Sequence, residues 1–442
     1  MSLGAFVRAR RAAGELVVQP RMGFGGAAAM RAGLIAVKGA AATTVGTLTL
    51  DSYTRLGDLE SAGRALREGN PLNGYPLLSH SLETTREVVD GLVGADFPIQ
   101  VRHGSPRPLA IFRGMIRGGF HATEGGPVSY CLPYGRTPLA ESVREWSVAC
   151  EELAATADAG FEPHLETFGG CLMGQLCPPS MLVAVSVLEA LFFRSRGLRS
   201  ISVSYAQQTN ADQDAEAVRA LRRLCAELLP DVDWHVVLYA YMGVYPGTPD
   251  GARGLLADAA LLAVRTGSER LIVKTVAESL RLPTVAENIE ALELAARTAA
   301  SAASSADASA APSAEPGDGG QTYLEALTLI DAVLDGASDL GDALLSAFRR
   351  GLLDIPFCLH PDNAGRARAG LDGEGRLIWS ALGSLPLAGV VEQRPDGGAL
   401  TAGGLMEALS HVQRHFDRKA PTRSRARSVP PAGAGGIHGG IR

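Results

Sequence analysis

Three arginines each follow a short apolar run: Arg21 in VVQPRMG, Arg55 in LDSYTRL and Arg102 in QVRHGSP. A guanidinium is planar, permanently charged and bidentate toward carboxylate, so three of them converging on one mouth suit a small dianionic ligand. A lone arginine at a loop more often serves a surface ion pair; three at strand ends argue for a clamp. Glu124 stands in TEGGPVSYCLPYG, and a glutamate inside an arginine ring is suited to receive an ammonium group or a proton. The alternative is a turn carboxylate capping exposed amides. Gly125 and Gly126 behind it would let a ligand approach the backbone closely. Tyr130 and Tyr134, flanking Pro133, read by themselves as packing whose hydroxyls each find one partner.

Lys274 ends RLIVKT. A lysine there forms a Schiff base when burial or neighbouring cations depress its pKa, which makes an aldolase-like lyase a rival reading. The plainer reading pairs it with Glu278 one turn later. GFGGAA (23–28) matches G-x-G-x-x-A after a strand and before a helix, with Asp51 ending the next strand. That is the outline of a dinucleotide fingerprint, a weak signal in a chain with 52 glycines. His411 and His415 lie i, i+4, but with no third ligand evident no metal is assigned. There is no G-x-x-x-x-G-K-[ST] loop and no G-x-S-x-G elbow.

Elements must position these groups. Nine strand-like runs, LVVQ, VGTLTLD, YPLLSH, FPIQVRH, GFHATE, FEPHLETF, SISVSY, WHVVLYAY and RLIVKT, fall between about residues 16 and 275. Between many of them lie amphipathic patterns such as MLVAVSVLEALFFRS and DAEAVRALRRLCAELL. This alternation predicts parallel β/α units, and nine runs are one too many for a closed barrel of eight. The unusual side chains (Arg21, Asp51, Arg55, His80, Arg102, His103, Glu124, Glu166, Gln207, Met242, Lys274) sit at or just beyond successive run ends. A (β/α)8 barrel collects its chemistry there, at the C-terminal mouth. A doubly wound sheet would concentrate it at one or two switch points. The expected fold class is therefore α/β, a (β/α)8 TIM barrel over 1–296, with a smaller C-terminal α+β region over 321–416. Residues 297–320, RTAASAASSADASAAPSAEPGDGG, read as an Ala/Ser-rich flexible insertion, and 417–442 as a disordered basic tail.

At 442 residues with a formal net charge of -6, the chain holds a large core and offers no basic field for nucleic acid. Its six cysteines include no C-x-x-C pair, which predicts a reduced, cytoplasmic protein. No long apolar segment opens the chain and no run is long enough to span a bilayer.

Taken in order, VVQPRMG, LDSYTR, LNGYP, QVRHGSP, EGGPVSYCLPY, ETFGG followed by CPPS, YMGVYP, IVKT with Glu278, and LLDIPF resemble the large, epsilon subunit of glutamate mutase (methylaspartate mutase). The resemblance covers about 16–390 apart from the Ala/Ser insertion. It implies a (β/α)8 barrel acting with adenosylcobalamin to interconvert L-glutamate and (2S,3S)-3-methylaspartate by radicals. By motif, Arg21, Arg55 and Arg102 would grip the two substrate carboxylates and Glu124 the ammonium, with His103, Tyr130 and Tyr134 completing the pocket. Gly23, Asn73, Pro133, Tyr245, Lys274, Glu278 and Leu282 would line the cofactor, with Lys274 and Glu278 near its adenosyl ribose. The family's cobalt-ligating D-x-H-x-x-G motif does not occur in the 442 residues. The resemblance therefore implies a separate small cobalamin-binding sigma subunit and a homodimer of this chain within a heterotetramer. A non-catalytic scaffold that binds an amino acid and a partner is the third reading.

Overall fold

The computed structural model describes residues 2–133, 135–173, 176–305, 320–336, 338–391 and 401–419. Eight strands, β1 (Val17–Gln19), β2 (Gly46–Thr49), β3 (Ile99–Arg102), β4 (Ala122–Gly125), β5 (His164–Thr167), β6 (Ser200–Ala206), β7 (Asp233–Tyr239) and β8 (Arg270–Ile272), form one sheet. Its order is β1-β8-β7-β6-β5-β4-β3-β2, every pairing parallel. The Val18 amide donates to the Thr43 carbonyl at 2.9 Å and the Val45 amide to the Val18 carbonyl at 3.3 Å, which joins β1 to β2 and closes the ring. The (β/α)8 barrel expected from the sequence is the fold.

YPLLSH is the run that does not become a strand. Tyr75 makes a single bridge to Leu50, and the amides of Ser79 and His80 turn back to the Pro76 carbonyl at 2.9 and 3.1 Å. Proline has no amide to give a ladder, so the pairing stops there. The other runs keep their places within a few residues.

The helix Leu3–Ala12 seals the barrel's lower end, packing Leu3, Phe6 and Val7 on Val17, Val45 and Ala122. The C-terminal region contributes helices Gly320–Leu334 and Leu340–Arg350, a hairpin of β9 (Arg368–Leu371) and β10 (Leu377–Ala381), and helices Ala402–Leu409 and His411–Lys419. Its loop around LLDIPFCLHPDN braces the barrel mouth. Asp362 accepts the Leu139 amide at 2.8 Å and His360 reaches the Thr137 carbonyl at 3.0 Å.

Two boundaries differ from the sequence reading. The helix Val285–Ser305 runs through the first part of the segment read as flexible, because alanine is the strongest helix former and Ala295 and Ala299 are buried. Residues 306–319 lie outside the described residues. The last described helix passes 416, and Asp417 accepts from the Gly247 and Thr248 amides at 3.0 and 2.9 Å, which fixes it to the loop after β7. The tail from 420 onward lies outside the described residues. Among the described residues, no helix is long and apolar enough to cross a membrane.

Candidate functional site

The barrel interior is polar from its middle upward. Gln19 donates to Thr47 at 2.9 Å and to Gln100 at 2.8 Å, and Gln100 donates to Glu166 at 3.0 Å. The Arg270 guanidinium, fully buried, bonds Glu166 and Gln19 and donates to Ser202 at 2.9 Å. Tyr239 gives its hydroxyl to Glu166. A buried charge without partners would be costly, and this ring pairs the two ions with each other and with neutral polar groups, leaving Nε of Arg270 without a hydrogen-bond partner.

Arg102, at the end of β3, rests on that ring. Its guanidinium lies 3.3 Å from Glu124, 3.8 Å from Glu166 and 5.1 Å from the centre of the Tyr239 ring. Although burial opposes the charge, Glu124 raises its pKa, so it stays a cation. The two carboxylates divide. Burial outweighs Arg102 at Glu124 and lifts its pKa. Burial acts the same way on Glu166, yet Arg270 and Arg102 overcome it and hold the pKa low. Glu166 is thus the fixed anion and Glu124 the carboxylate with capacity for an ammonium or a proton.

Arg55 comes from a different element. Asp51 caps the helix Ser52–Leu56 by accepting the Tyr53 and Thr54 amides at 2.9 and 3.0 Å, and Arg55 lies in its last turn. The Arg55 guanidinium packs against Gly104, where a Cβ would come within 3.1 Å of it; this glycine has φ of +68°. Burial, Arg55 and Arg102 together push His103 down to about 3, so its imidazole is neutral. His103 stacks on Trp146 and meets Tyr130 edge-on at 5.3 Å. Nε of Arg55, Nη1 of Arg102 and Nε2 of His103 are buried and have no hydrogen-bond partner. Three such donors from neighbouring residues leave this wall with unmet hydrogen-bonding capacity.

Arg21 stands across the mouth. It lies 3.4 Å from Glu278, which also takes Lys274 at 2.8 Å. Burial depresses Lys274 to about 8, with Glu278 opposing and Arg21 assisting. Lys274 sits 5.3 Å over the Tyr245 ring, whose buried hydroxyl has no partner. Leu280 and Leu282 stand exposed just beyond. Asn73 accepts the Ser52 amide at 3.0 Å beside the Arg55 helix. Gly23 lies so close to the Thr49 carbonyl that a Cβ would stand 2.2 Å from it. Pro133 is half-buried in the loop after β4, and Tyr134 lies outside the described residues.

Two sequence readings change. Gly125 and Gly126 are required by packing: a Cβ on the first would meet Trp146 and Tyr130 at 2.6 Å, and on the second the Glu189 carboxylate at 1.9 Å. The dinucleotide outline also fails, since Asp51 spends both oxygens on its helix cap and Gly23 serves strand packing. Sequence reasoning assigned no role to Glu166 and passed over Gln19, Gln100, Tyr239, Arg270 and Glu189. A strand period of two carried part of the signal: Gln19 and Arg21, Gln100 and Arg102, and His164 and Glu166 are polar residues at i and i+2 in or just beyond strands, whereas Arg270 stands four residues before Lys274.

A parallel (β/α)8 barrel with buried, unpartnered polar donors gathered at its C-terminal mouth belongs to the class of barrels that carry their chemistry at strand ends. Within that class the chain belongs to the family described as Methylaspartate mutase E chain (MutE), matched over residues 2–396. It is 33% identical to the glutamate mutase epsilon subunit of Halobacterium salinarum over 77% of this chain and 71% of that one. It is 31% identical to that of Haloarcula marismortui over 74% and 68%, and 29% identical to that of Desulfitobacterium hafniense over 78% and 72%. It is thus a mutase subunit of the (β/α)8 barrel fold.

Proposed function

We propose that the chain is the catalytic large subunit of an adenosylcobalamin-dependent mutase that interconverts L-glutamate and (2S,3S)-3-methylaspartate. The observation that carries this is the set of unpartnered donors on Arg55, Arg102 and His103 around Glu124. It matches a ligand with two carboxylates and one ammonium. Arg55 and Arg102, with Arg21 opposite, hold the carboxylates. Glu124 meets the ammonium because its environment favours a bound proton or cation. His103, held neutral with Nδ1 accepting the Ser105 amide at 3.0 Å, donates from Nε2 without adding charge. Tyr130, buried against His103, completes the enclosure and excludes water.

The groups at the far side fit the cofactor. The Tyr245 hydroxyl is buried and unpartnered, Lys274 and Glu278 present a polar pair, and Leu282 offers an apolar rim. With Gly23, Asn73 and Pro133 these would hold adenosylcobalamin, which supplies radical chemistry at carbons too weakly acidic for a base. The chain's own share is positional: a rigid multidentate clamp keeps the migrating fragment in place. The epsilon designation of the relatives supports a complex, here with a small cobalamin-binding sigma subunit ligating cobalt, in a cytoplasmic heterotetramer built on a homodimer of this chain.

The test is conversion of L-glutamate by this chain with adenosylcobalamin, with and without a family sigma subunit, following 3-methylaspartate by NMR. Product in the complete mixture alone is the expected result. Bound glutamate with no product in any mixture would favour the amino-acid-binding scaffold.

A further inference from the structure

The helix Pro179–Ser195 is apolar along most of its length and fully buried through its centre, yet it carries Glu189 there with no exposure to solvent. Its carboxylate has four donors: the Ser129 amide at 2.9 Å, the Ser129 hydroxyl at 3.0 Å, the Phe168 amide at 3.2 Å and the Gly169 amide at 2.9 Å. None is a cation, and burial lifts the carboxyl to about 7 against the pull of these bonds. A carboxylate this deep within an apolar helix is retained only where its acceptors do something an apolar side chain cannot.

The donors come from two different loops. Ser129 belongs to the loop after β4, one residue before Tyr130; Phe168 and Gly169 belong to the loop after β5. The rings of Tyr130 and Phe168 lie 4.9 Å apart, and Tyr130 in turn meets His103. Glycine at 126 is what admits the carboxylate, because a Cβ there would coincide with it. Glu189 itself touches neither Arg102 nor Glu124.

We propose that Glu189 is a positioning residue: its carboxylate ties the loop after β4 to the loop after β5 and so holds Tyr130 against His103 at the ligand-facing wall. The ligand-binding part of this statement rests on the function proposed above, whereas the tie between the loops does not. An apolar side chain at 189 would fill the same space and leave the four donors without an acceptor. Glutamine would keep one acceptor oxygen but set an amide hydrogen against donors that need a lone pair.

The experiment compares the full-length chain with Glu189→Gln, Ser129→Ala and Gly126→Ala. Hydrogen exchange is read by mass spectrometry and L-glutamate affinity by calorimetry. In Glu189→Gln and Gly126→Ala, exchange at 126–133 and 168–173 should rise by about tenfold or more while the helix Ala211–Leu228 keeps its protection. L-Glutamate affinity should fall by a similar factor. In the complete mixture KM should rise more than kcat falls. Ser129→Ala keeps the carboxylate and three donors, so it should give the same pattern in smaller measure even where Glu189→Gln fails to fold. Unchanged exchange in both loops, or a uniform loss of protection across the barrel in all three variants, would overturn the proposal. If the parent chain does not bind L-glutamate, the substrate reading fails, and the exchange pattern alone still decides the tie.

Discussion

Glu124 and Glu166 are register partners on neighbouring strands, and one guanidinium, that of Arg102, reaches both, at 3.3 and 3.8 Å. Two adjacent buried carboxylates would ordinarily repel. Here Arg270 neutralises Glu166, so Arg102 is not consumed by it: Nη2 meets Glu124, while Nη1, 3.8 Å from Glu166, is left without a hydrogen-bond partner. The clamp is therefore assembled from the inside of the barrel outward.

Replacing that fork should remove binding without removing the charge. Arg102→Lys keeps a cation but cannot span Glu124 and a ligand carboxylate together. L-Glutamate affinity should fall by roughly 30- to 150-fold, about 2–3 kcal/mol for a lost charged hydrogen bond. Calorimetry on the isolated chain measures this directly. An unchanged affinity would remove Arg102 from the site.

The supporting ion pair should matter for folding. Arg270→Met leaves Glu166 inside the barrel with its main neutralising partner gone, and the expected cost is about 3–5 kcal/mol. Urea denaturation should show it as a lower midpoint with an unchanged slope. Adding Glu166→Gln should recover part of the loss, because the two residues share one network. Strict additivity in the double variant would mean that the pair is not coupled.

The sequence made the barrel and much of the mouth legible, for a physical reason: residues that end strands carry chemistry, and strand ends are visible as the close of apolar runs. Arg55 could be placed at the mouth because it follows the run VGTLTLD, although the helix that carries it, capped by Asp51, was not read. What could not be read was the interior. Arg270 opens RLIVKT and looks like a flanking charge, since nothing local distinguishes a residue facing solvent from one facing seven other strands. Glu189 is hidden differently: it interrupts an apolar helix, and its partners lie 20 to 60 residues away in two loops. Gly125 and Gly126 misled because absent side chains look alike whether a ligand or a neighbouring residue fills the space.

Acid should act on the lower barrel first. His235 is buried, stacks on His164 at 5.3 Å and has an unpartnered Nε2. Burial and Arg270 hold its pKa well below the ordinary value, and His164 is likewise pushed down to about 3. An unfolded histidine titrates near 6.5. Between that value and the folded one, the unfolded chain binds more protons. Each histidine therefore contributes stability that is complete above about pH 6.5 and is lost as the pH falls. His235→Phe keeps a ring in the stack and removes one titrating group. Its stability relative to the parent should rise steadily as the pH drops from 7 to 5, read from denaturation midpoints; a constant difference would show that His235 does not set the acid response.

Lys274 separates the mutase from a Schiff-base lyase. It is one of only three lysines, with Lys38 and Lys419, so amine labelling can be assigned without ambiguity. Burial holds it near 8, and the Glu278 carboxylate at 2.8 Å is the strongest influence in the other direction. In Glu278→Gln, burial and Arg21 act without that opposition, so the lysine pKa should move below about 8. The pH dependence of labelling measured by mass spectrometry would record the shift, and an unmoved midpoint would mean that the ion pair does not govern the amine. In the parent chain the ion pair occupies the ammonium, and borohydride treatment with pyruvate or oxaloacetate should leave Lys274 unmodified. An adduct on Lys274 alone would instead make this mouth the site of a carbonyl lyase.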